Sequence, residues 1–110
     1  ASEHEREGRV RRPVIPADCG HNAHMYYLLL QDLGARTRFI ESMKAAGVGA
    51  VFHYIPLHSA PQGVKCSRSS GSMNTTDRVS AQLVRLPLWL GIEERLDEVF
   101  AAADAALAAG

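Results

Sequence analysis

The sequence predicts an α+β domain, a two-layer sandwich in which a small, mainly antiparallel sheet has helices packed on one face. Three short segments rich in apolar and β-branched residues, at 23–30, 48–55 and 83–86, have the length of strands. Two longer segments, 35–46 and 92–107, repeat apolar residues at the spacing of a helix with one apolar face. Helices of this kind bury that face against a sheet, and two layers are the economical way to do so.

The first segment, residues 1–12, predicts the end of a helix or a linker. It has helix-forming composition, few apolar residues and no clear capping residue, which is typical of the tail of something longer. A frayed terminus would have the same composition. Pro13 and Pro16 then fix an extended stretch, because proline cannot continue a helix.

The first strand and the first long helix follow. Residues 23–30 are an almost unbroken apolar run with two tyrosines, which favours a buried strand. Asp32 can cap the next helix, whose first N–H groups lack partners within the helix. The apolar residues of this helix share one face: Phe39, Ile40, Met43 and Ala46. Gly47 is expected to end it in the left-handed conformation.

The second strand leads into a long connection. Residues 48–55 are β-branched and aromatic, and Pro56 should end the strand because proline cannot donate to the sheet. Residues 57–74 predict a loop of roughly twenty residues, and a structureless loop of this length is usually functional or mobile. Thr75 or Thr76 is then expected to cap a short helix.

The chain is predicted to end with a short strand and a long helix. Residues 83–86 form the third strand, and Pro87 ends it. Glu93 and Glu94 lie in the first turn of the last helix, where negative charge is favourable. Its apolar positions form a single stripe: Ile92, Leu96, Val99, Phe100, Ala103 and Leu107.

Composition excludes several classes of function. Lys plus Arg and Asp plus Glu both number 12 in 110 residues, so no net field would attract nucleic acid or an anionic membrane. No apolar run is long enough to span a membrane, and the start lacks the apolar core of a signal peptide. The two cysteines form no CxxC pair. We therefore expect a cytoplasmic protein with reduced thiols that binds neither nucleic acid nor membrane.

The candidate substrate-binding residues are His53, Tyr54 and His58, which lie where the second strand enters the long loop. A strand end holds functional groups still while a loop gives access to them. In a regular strand His53 and Tyr54 would point to opposite faces, so both reach one pocket only where the strand breaks. The alternative is a half-buried aromatic strand end with one hydrogen-bonded histidine.

Arg85 is a charged residue within an apolar strand, and two interpretations of it stay open. Its guanidinium could bind a phosphate or a carboxylate through two hydrogen bonds. It could instead lie on the solvent face or pair with a nearby Asp or Glu.

Metal-dependent and covalent chemistry have little support in the sequence. Five residues could suggest a zinc site but lack the paired spacing of such sites: Cys19, His21, His24, His53 and His58. Neither Lys44 nor Lys65 has the surroundings expected of a Schiff-base lysine. We therefore predict no metal site and no catalytic or cofactor-binding residue in this chain.

Three segments resemble the C-terminal domain of the DegT/StrS sugar-nucleotide aminotransferases. They are HNAHMYY at 21–27, GAVFHYIPLHS at 49–59 and RLPLW at 85–89. The resemblance covers residues 13–107 and is closest to the branch that converts dTDP-4-keto-6-deoxyglucose into dTDP-4-amino-4,6-dideoxygalactose. Residues 64–72 do not align with the family pattern.

The resemblance implies a fold-type I aminotransferase that uses pyridoxal phosphate and takes its amino group from glutamate. A missing large domain would hold the cofactor and the Schiff-base lysine, so the chain alone should be inactive. Residues 1–12 would then come from that large domain, and 13–110 would be the C-terminal small domain. The parent would be a homodimer with active sites at the subunit interface, and His53 to His58 would border the sugar-nucleotide pocket.

Two other functions remain open from the residues themselves. The chain could be a free-standing α+β module that binds a small ligand or regulates a partner, or, less simply, a zinc-binding module. A free-standing module should cover its own apolar faces, whereas one domain of a larger protein should leave an apolar patch where its partner packs.

Overall fold

The structure, a computed structural model, describes residues 2–110 and contains a four-stranded sheet with the order β1-β2-β4-β3. Its strands are β1 (Val10–Arg11), β2 (Tyr27–Leu30), β3 (Val51–Phe52) and β4 (Leu83–Arg85). Every neighbouring pair is antiparallel. Together with the helices below, this sheet confirms the predicted α+β class.

Within residues 2–110 five α-helices accompany the sheet: α1 (Ser2–Arg6), α2 (Leu33–Ala45), α3 (Pro61–Cys66), α4 (Asn74–Gln82) and α5 (Leu96–Ala109). A 3-10 turn at Ile92–Arg95 leads into α5. The predicted last helix therefore begins as a 3-10 turn and becomes an α-helix at Leu96.

The core lies between one face of the sheet and the two long helices. Leu28 and Val84 are directly opposite each other in β2 and β4, so their side chains share one sheet face. They pack in one cluster with residues of α2 and α5: Phe39, Met43, Val99, Ala103, Ala106 and Leu107. The stripe predicted for the last helix is buried except at Phe100, which is exposed, and Leu96, which is partly buried.

Helix α2 has both of the predicted end signals. The carboxylate of Asp32 accepts a hydrogen bond of 2.8 Å from the backbone N–H of Ala35. At the other end Gly47 has φ 76°, and the N–H of Val48 donates to the carbonyl of Met43 at 2.9 Å. This is the Schellman pattern, in which a residue past the left-handed glycine bonds back to the last turn.

The N-terminal segment contributes a strand that the sequence did not predict. Val10 is buried opposite Leu30, so β1 extends the sheet beyond β2. Arg12 donates to Glu5 from its backbone N–H at 2.9 Å and from Nε at 2.7 Å. These bonds hold the pKa of the Glu5 carboxyl below its ordinary value. Two residues are too few to show the alternation by which a strand is recognised.

Four of the sequence predictions were wrong in their detail. The first strand is Tyr27–Leu30, shorter than 23–30. The second strand is only Val51–Phe52, much shorter than 48–55, because it pairs with a three-residue strand, β4. The connection at 57–74 is not structureless, since it contains α3. Helix α4 begins at Asn74, with Met73 at the N-cap position and no side-chain capping bond, so Thr75 and Thr76 lie inside its first turn.

Candidate functional site

The segment that follows β3 lies between two clefts. We call the first the α4 cleft, of about 470 Å³, because it is lined by residues 53–57 and by Thr76 and Val79 of helix α4. We call the second the Arg85 cleft, of about 430 Å³, because it is lined by the same strand end together with Arg85 and His24. Both volumes fall in the range of small-molecule sites.

His53 and Tyr54 line both clefts. Their ring centroids are 4.8 Å apart in an edge-on arrangement with an interplanar angle of 62°. The alternation expected of a regular strand does not separate them, because β3 has already ended at Phe52. The strand break therefore brings these two candidate residues together.

His58 lies apart from them and contacts helix α4. Its Nε2 is 2.7 Å from Oδ1 of Asp77, which belongs to the first turn of that helix. His58 is partly buried, and it lines neither cleft. Its bond connects the turn after Pro56 to α4 across 19 residues of sequence, a pairing that no local pattern could indicate.

Arg85 lines its cleft, and among residues 2–110 neither the lining nor an ion pair places a carboxylate beside it. Its guanidinium carbon is 5.6 Å from the ring centroid of Tyr54, a cation–π distance. Nε of Arg85 and Nδ1 of His53 are both buried, and neither atom has a hydrogen-bond partner among residues 2–110. The interpretation in which Arg85 pairs with a nearby Asp or Glu is therefore not supported within residues 2–110.

His24 reaches the Arg85 cleft through a turn with unusual backbone geometry. Ala23 has φ 51°, in the left-handed region that residues with a Cβ rarely adopt. Its N–H donates to Nδ1 of His21 at 2.9 Å, and Nδ1 of His24 is 2.6 Å from Oδ1 of Asn22. The sequence placed His24 at the start of a strand, but β2 begins only at Tyr27.

We expect Ala23→Gly to stabilise the chain by about 0.5–1 kcal/mol. Glycine removes the left-handed strain of roughly 1–2 kcal/mol, and its extra unfolded-state entropy offsets only part of that gain. Urea unfolding measures the change. Ala101→Gly, in the middle of α5, is the control and should lose about 1 kcal/mol. An equal loss for both variants would contradict the strain at Ala23.

The other residues considered for chemistry lie outside the two clefts. Lys44 is exposed in the last turn of α2 and Lys65 is exposed in α3, and neither lines a cleft described above. Over residues 2–110 the structure places no group of three or more His, Cys, Asp or Glu side chains where they could hold a metal ion. Within the same range no helix has the length and hydropathy to cross a membrane.

Solved structures share this fold. The aminotransferase TlmJ from Streptoalloteichus hindustanus is 22% identical, with a TM-score of 0.78 over 98% of this chain and 30% of that chain. NtdA from Bacillus subtilis, with bound cofactor PMP, is 19% identical, with a TM-score of 0.66 over 94% and 25%. Spr1654 from Streptococcus pneumoniae, assigned as a sugar aminotransferase and solved in its PLP form, is 18% identical, with a TM-score of 0.62 over 96% and 29%.

This chain therefore spans between 25% and 30% of the length of those three proteins. A sequence model of the DegT/DnrJ/EryC1/StrS aminotransferase family matches residues 4–103, which include both clefts and the whole sheet. Because that match extends over most of the 110 residues, the chain belongs to the DegT/DnrJ/EryC1/StrS aminotransferase family.

Proposed function

We propose that this chain is the C-terminal domain of an aminotransferase that uses pyridoxal phosphate to move an amino group from glutamate to a nucleotide-linked 4-keto-6-deoxyhexose. The nucleotide is dTDP, and the product is dTDP-4-amino-4,6-dideoxygalactose. The observation that carries the proposal is the pair of clefts around His53 and Tyr54 in a chain of this family. The ring N–H of His53 and the hydroxyl of Tyr54 can donate hydrogen bonds to sugar hydroxyls and phosphate oxygens.

The cofactor would be held by the rest of the parent protein. A Schiff-base lysine has to face an enclosed site, and both lysines of this chain are exposed and away from the clefts. The residues present therefore do not fit a cofactor site of their own. Pyridoxal phosphate would supply the electron sink for amino transfer, while the residues of this chain bind and orient the sugar nucleotide.

Within the parent enzyme the three candidate residues would have two kinds of role. His53 and Tyr54 border the clefts and would donate hydrogen bonds to the substrate. His58 would be a positioning residue, because its bond to Asp77 holds the chain after Pro56 against α4. None of the three would transfer the proton, since the lysine that binds the cofactor is the natural base. The parent would be a cytoplasmic homodimer with its active sites at the subunit interface.

The exposed apolar surface supports a domain of a larger protein over a free-standing module. Leu57 is 82% exposed, Leu90 is 99% exposed and Tyr54 is 73% exposed. Ile55 and Trp89 are also more than half exposed. A free-standing module would be expected to cover such a surface, whereas a domain of a larger protein covers it with the rest of the chain.

The proposal predicts different results for the parent protein and for this chain alone. With pyridoxal phosphate, glutamate and the dTDP-linked 4-keto sugar, the parent should form 2-oxoglutarate and the amino sugar in equal amounts. The 110-residue chain should form neither. After borohydride reduction, mass spectrometry should find the cofactor on a lysine of the parent outside this chain, and on neither Lys44 nor Lys65.

Two outcomes would contradict the proposal at different levels. A parent that binds the cofactor but accepts no nucleotide-linked keto sugar would have another substrate class. Stoichiometric labelling of Lys44 or Lys65 together with glutamate-dependent turnover by this chain alone would show that the chain is itself the enzyme.

A further inference from the structure

We propose that Arg85 and His53, with Tyr54 stacked on the guanidinium, form an oxyanion-binding site in the Arg85 cleft. The ligand group is a phosphate or a carboxylate. The site is inferred from the geometry of this chain, and only the identity of the molecule that carries the anion rests on the proposed function.

Arg85 differs from the other partly buried arginines of the described chain. Arg9 donates to the carbonyl of Leu107 at 3.2 Å and lies 3.0 Å from Oε2 of Glu7. Arg36 donates to the carbonyl of Ser80 at 2.8 Å, although its Nε is also buried without a hydrogen-bond partner among residues 2–110. The guanidinium of Arg85 has neither a hydrogen bond nor an ion pair within residues 2–110, and its Nε is buried. Because Arg85 also lines the cleft, an acceptor bound there would give the guanidinium a partner that residues 2–110 do not supply.

The two aromatic residues next to Arg85 accept no hydrogen bond from it. Tyr54 lies at a cation–π distance, with its ring centroid 5.6 Å from the guanidinium carbon. His53 follows Val51, the partner of Arg85 in the sheet, by two residues. Its Nδ1 is buried and unbonded as well. Both side chains line the same cleft, and the proposed oxyanion would accept a hydrogen bond from each of them there.

The lining of the cleft selects anions over cations. It contains Arg85, His53 and His24 and includes no Asp or Glu. A cation would therefore meet like charge and no carboxylate, and an apolar group would leave the buried nitrogens without partners. The cleft of about 430 Å³ is large enough for a diphosphate or for glutamate, the two anions that the proposed reaction provides.

Nuclear magnetic resonance of the 110-residue chain tests the site directly. The Arg85 Nε–H signal and the His53 ring nitrogens are followed during titration with sodium pyrophosphate and, separately, with sodium glutamate, at ionic strength matched by sodium chloride. We expect a saturable shift of both groups. Pyrophosphate should bind more tightly, because its higher charge gives stronger charge-assisted hydrogen bonds.

Arg85→Gln should weaken that binding about tenfold or more, since it removes the charge and the paired donors. Arg85→Lys keeps the charge and should bind between the wild type and Arg85→Gln. Arg11→Gln is the matched control, because Arg11 is an exposed strand arginine outside the cleft. It should bind pyrophosphate as the wild type does. Dispersed amide spectra establish that each variant is folded.

The titrations separate failure of the site from failure of the proposed function. Saturation by pyrophosphate alone assigns the anion to the nucleotide, and saturation by glutamate alone assigns it to the amino donor. Shifts no larger than those in chloride, or equal affinities for Arg85→Gln and Arg11→Gln, would overturn the site. These results do not depend on cofactor or turnover, so a parent without the proposed activity would leave them unchanged.

Discussion

Met43→Ala is expected to lower the free energy of unfolding by about 2–5 kcal/mol. Met43 is 0% exposed and lies in the cluster where α2 packs with Val84 of the inner strand β4 and with α5. Truncation removes buried apolar surface and leaves a cavity that the surrounding residues fill only in part. Since a domain of this size is stable by about 5–15 kcal/mol, the variant should lose a large share of its stability.

Urea unfolding followed by circular dichroism measures this loss as a lower midpoint at an unchanged slope. Leu33→Ala is the matched control, because Leu33 begins the same helix and is 52% exposed. It should change stability by less than about 1 kcal/mol. Met43→Leu, which nearly conserves volume, should cost less than about 1.5 kcal/mol. Similar losses for Met43→Ala and Leu33→Ala would show that Met43 is not in the core.

The parts of the fold that were predicted correctly are those whose signals are local. Helix α2 combines a capping carboxylate at Asp32, an apolar face with Phe39 and Met43, and a left-handed glycine at Gly47. All three signals lie within one segment and act on it. The predicted α+β class followed from such local signals, because short β-branched segments predicted strands and helices with one apolar face need a second layer to cover them.

The elements that were missed depend on distant partners or on an obscured local pattern. Strand β1 was missed because it exists only through its pairing with β2, and no period can appear in two residues. Strand β3 was predicted but too long, because its extent is set by the residues of β4 that pair with it. Helix α3 was missed because its neighbours are rich in Ser and Gly, although Pro61 occupies a favourable first position. Gly63 is required there, since a Cβ would overlap the carbonyl oxygen of Leu57.

In the candidate site, too, the residue types were predicted from local sequence, whereas their arrangement was not. The sequence identified the strand end with His53 and Tyr54 by its residue types. It could not identify the break after Phe52 that directs both rings to the same clefts. Nor could it choose between the two interpretations of Arg85, because the absence of a carboxylate beside the guanidinium is a property of the assembled sheet.

In the parent enzyme, His53→Ala is expected to raise KM for the keto sugar about tenfold while kcat changes only a few-fold. A residue that holds the substrate through hydrogen bonds acts in both the ground state and the transition state, so its loss appears mainly in KM. Loss of one hydrogen bond to a charged group accounts for an effect of this size. Tyr54→Phe should raise the same KM less, because the ring that stacks on Arg85 remains.

Measuring the two half-reactions separately decides the role of His53. The glutamate half-reaction should be nearly unchanged, because that smaller donor does not reach the nucleotide end of the pocket. If His53→Ala weakened the glutamate half-reaction, the amino donor and not the nucleotide would bind beside Arg85.

Tyr26→Phe is the matched control for Tyr54→Phe, since Tyr26 lines neither cleft at the candidate site. Melting temperatures are compared first, because truncation at a strand end also affects stability. If His53→Ala abolished kcat in both half-reactions with KM intact, His53 would carry a proton, and its proposed role as a substrate-binding residue would be wrong.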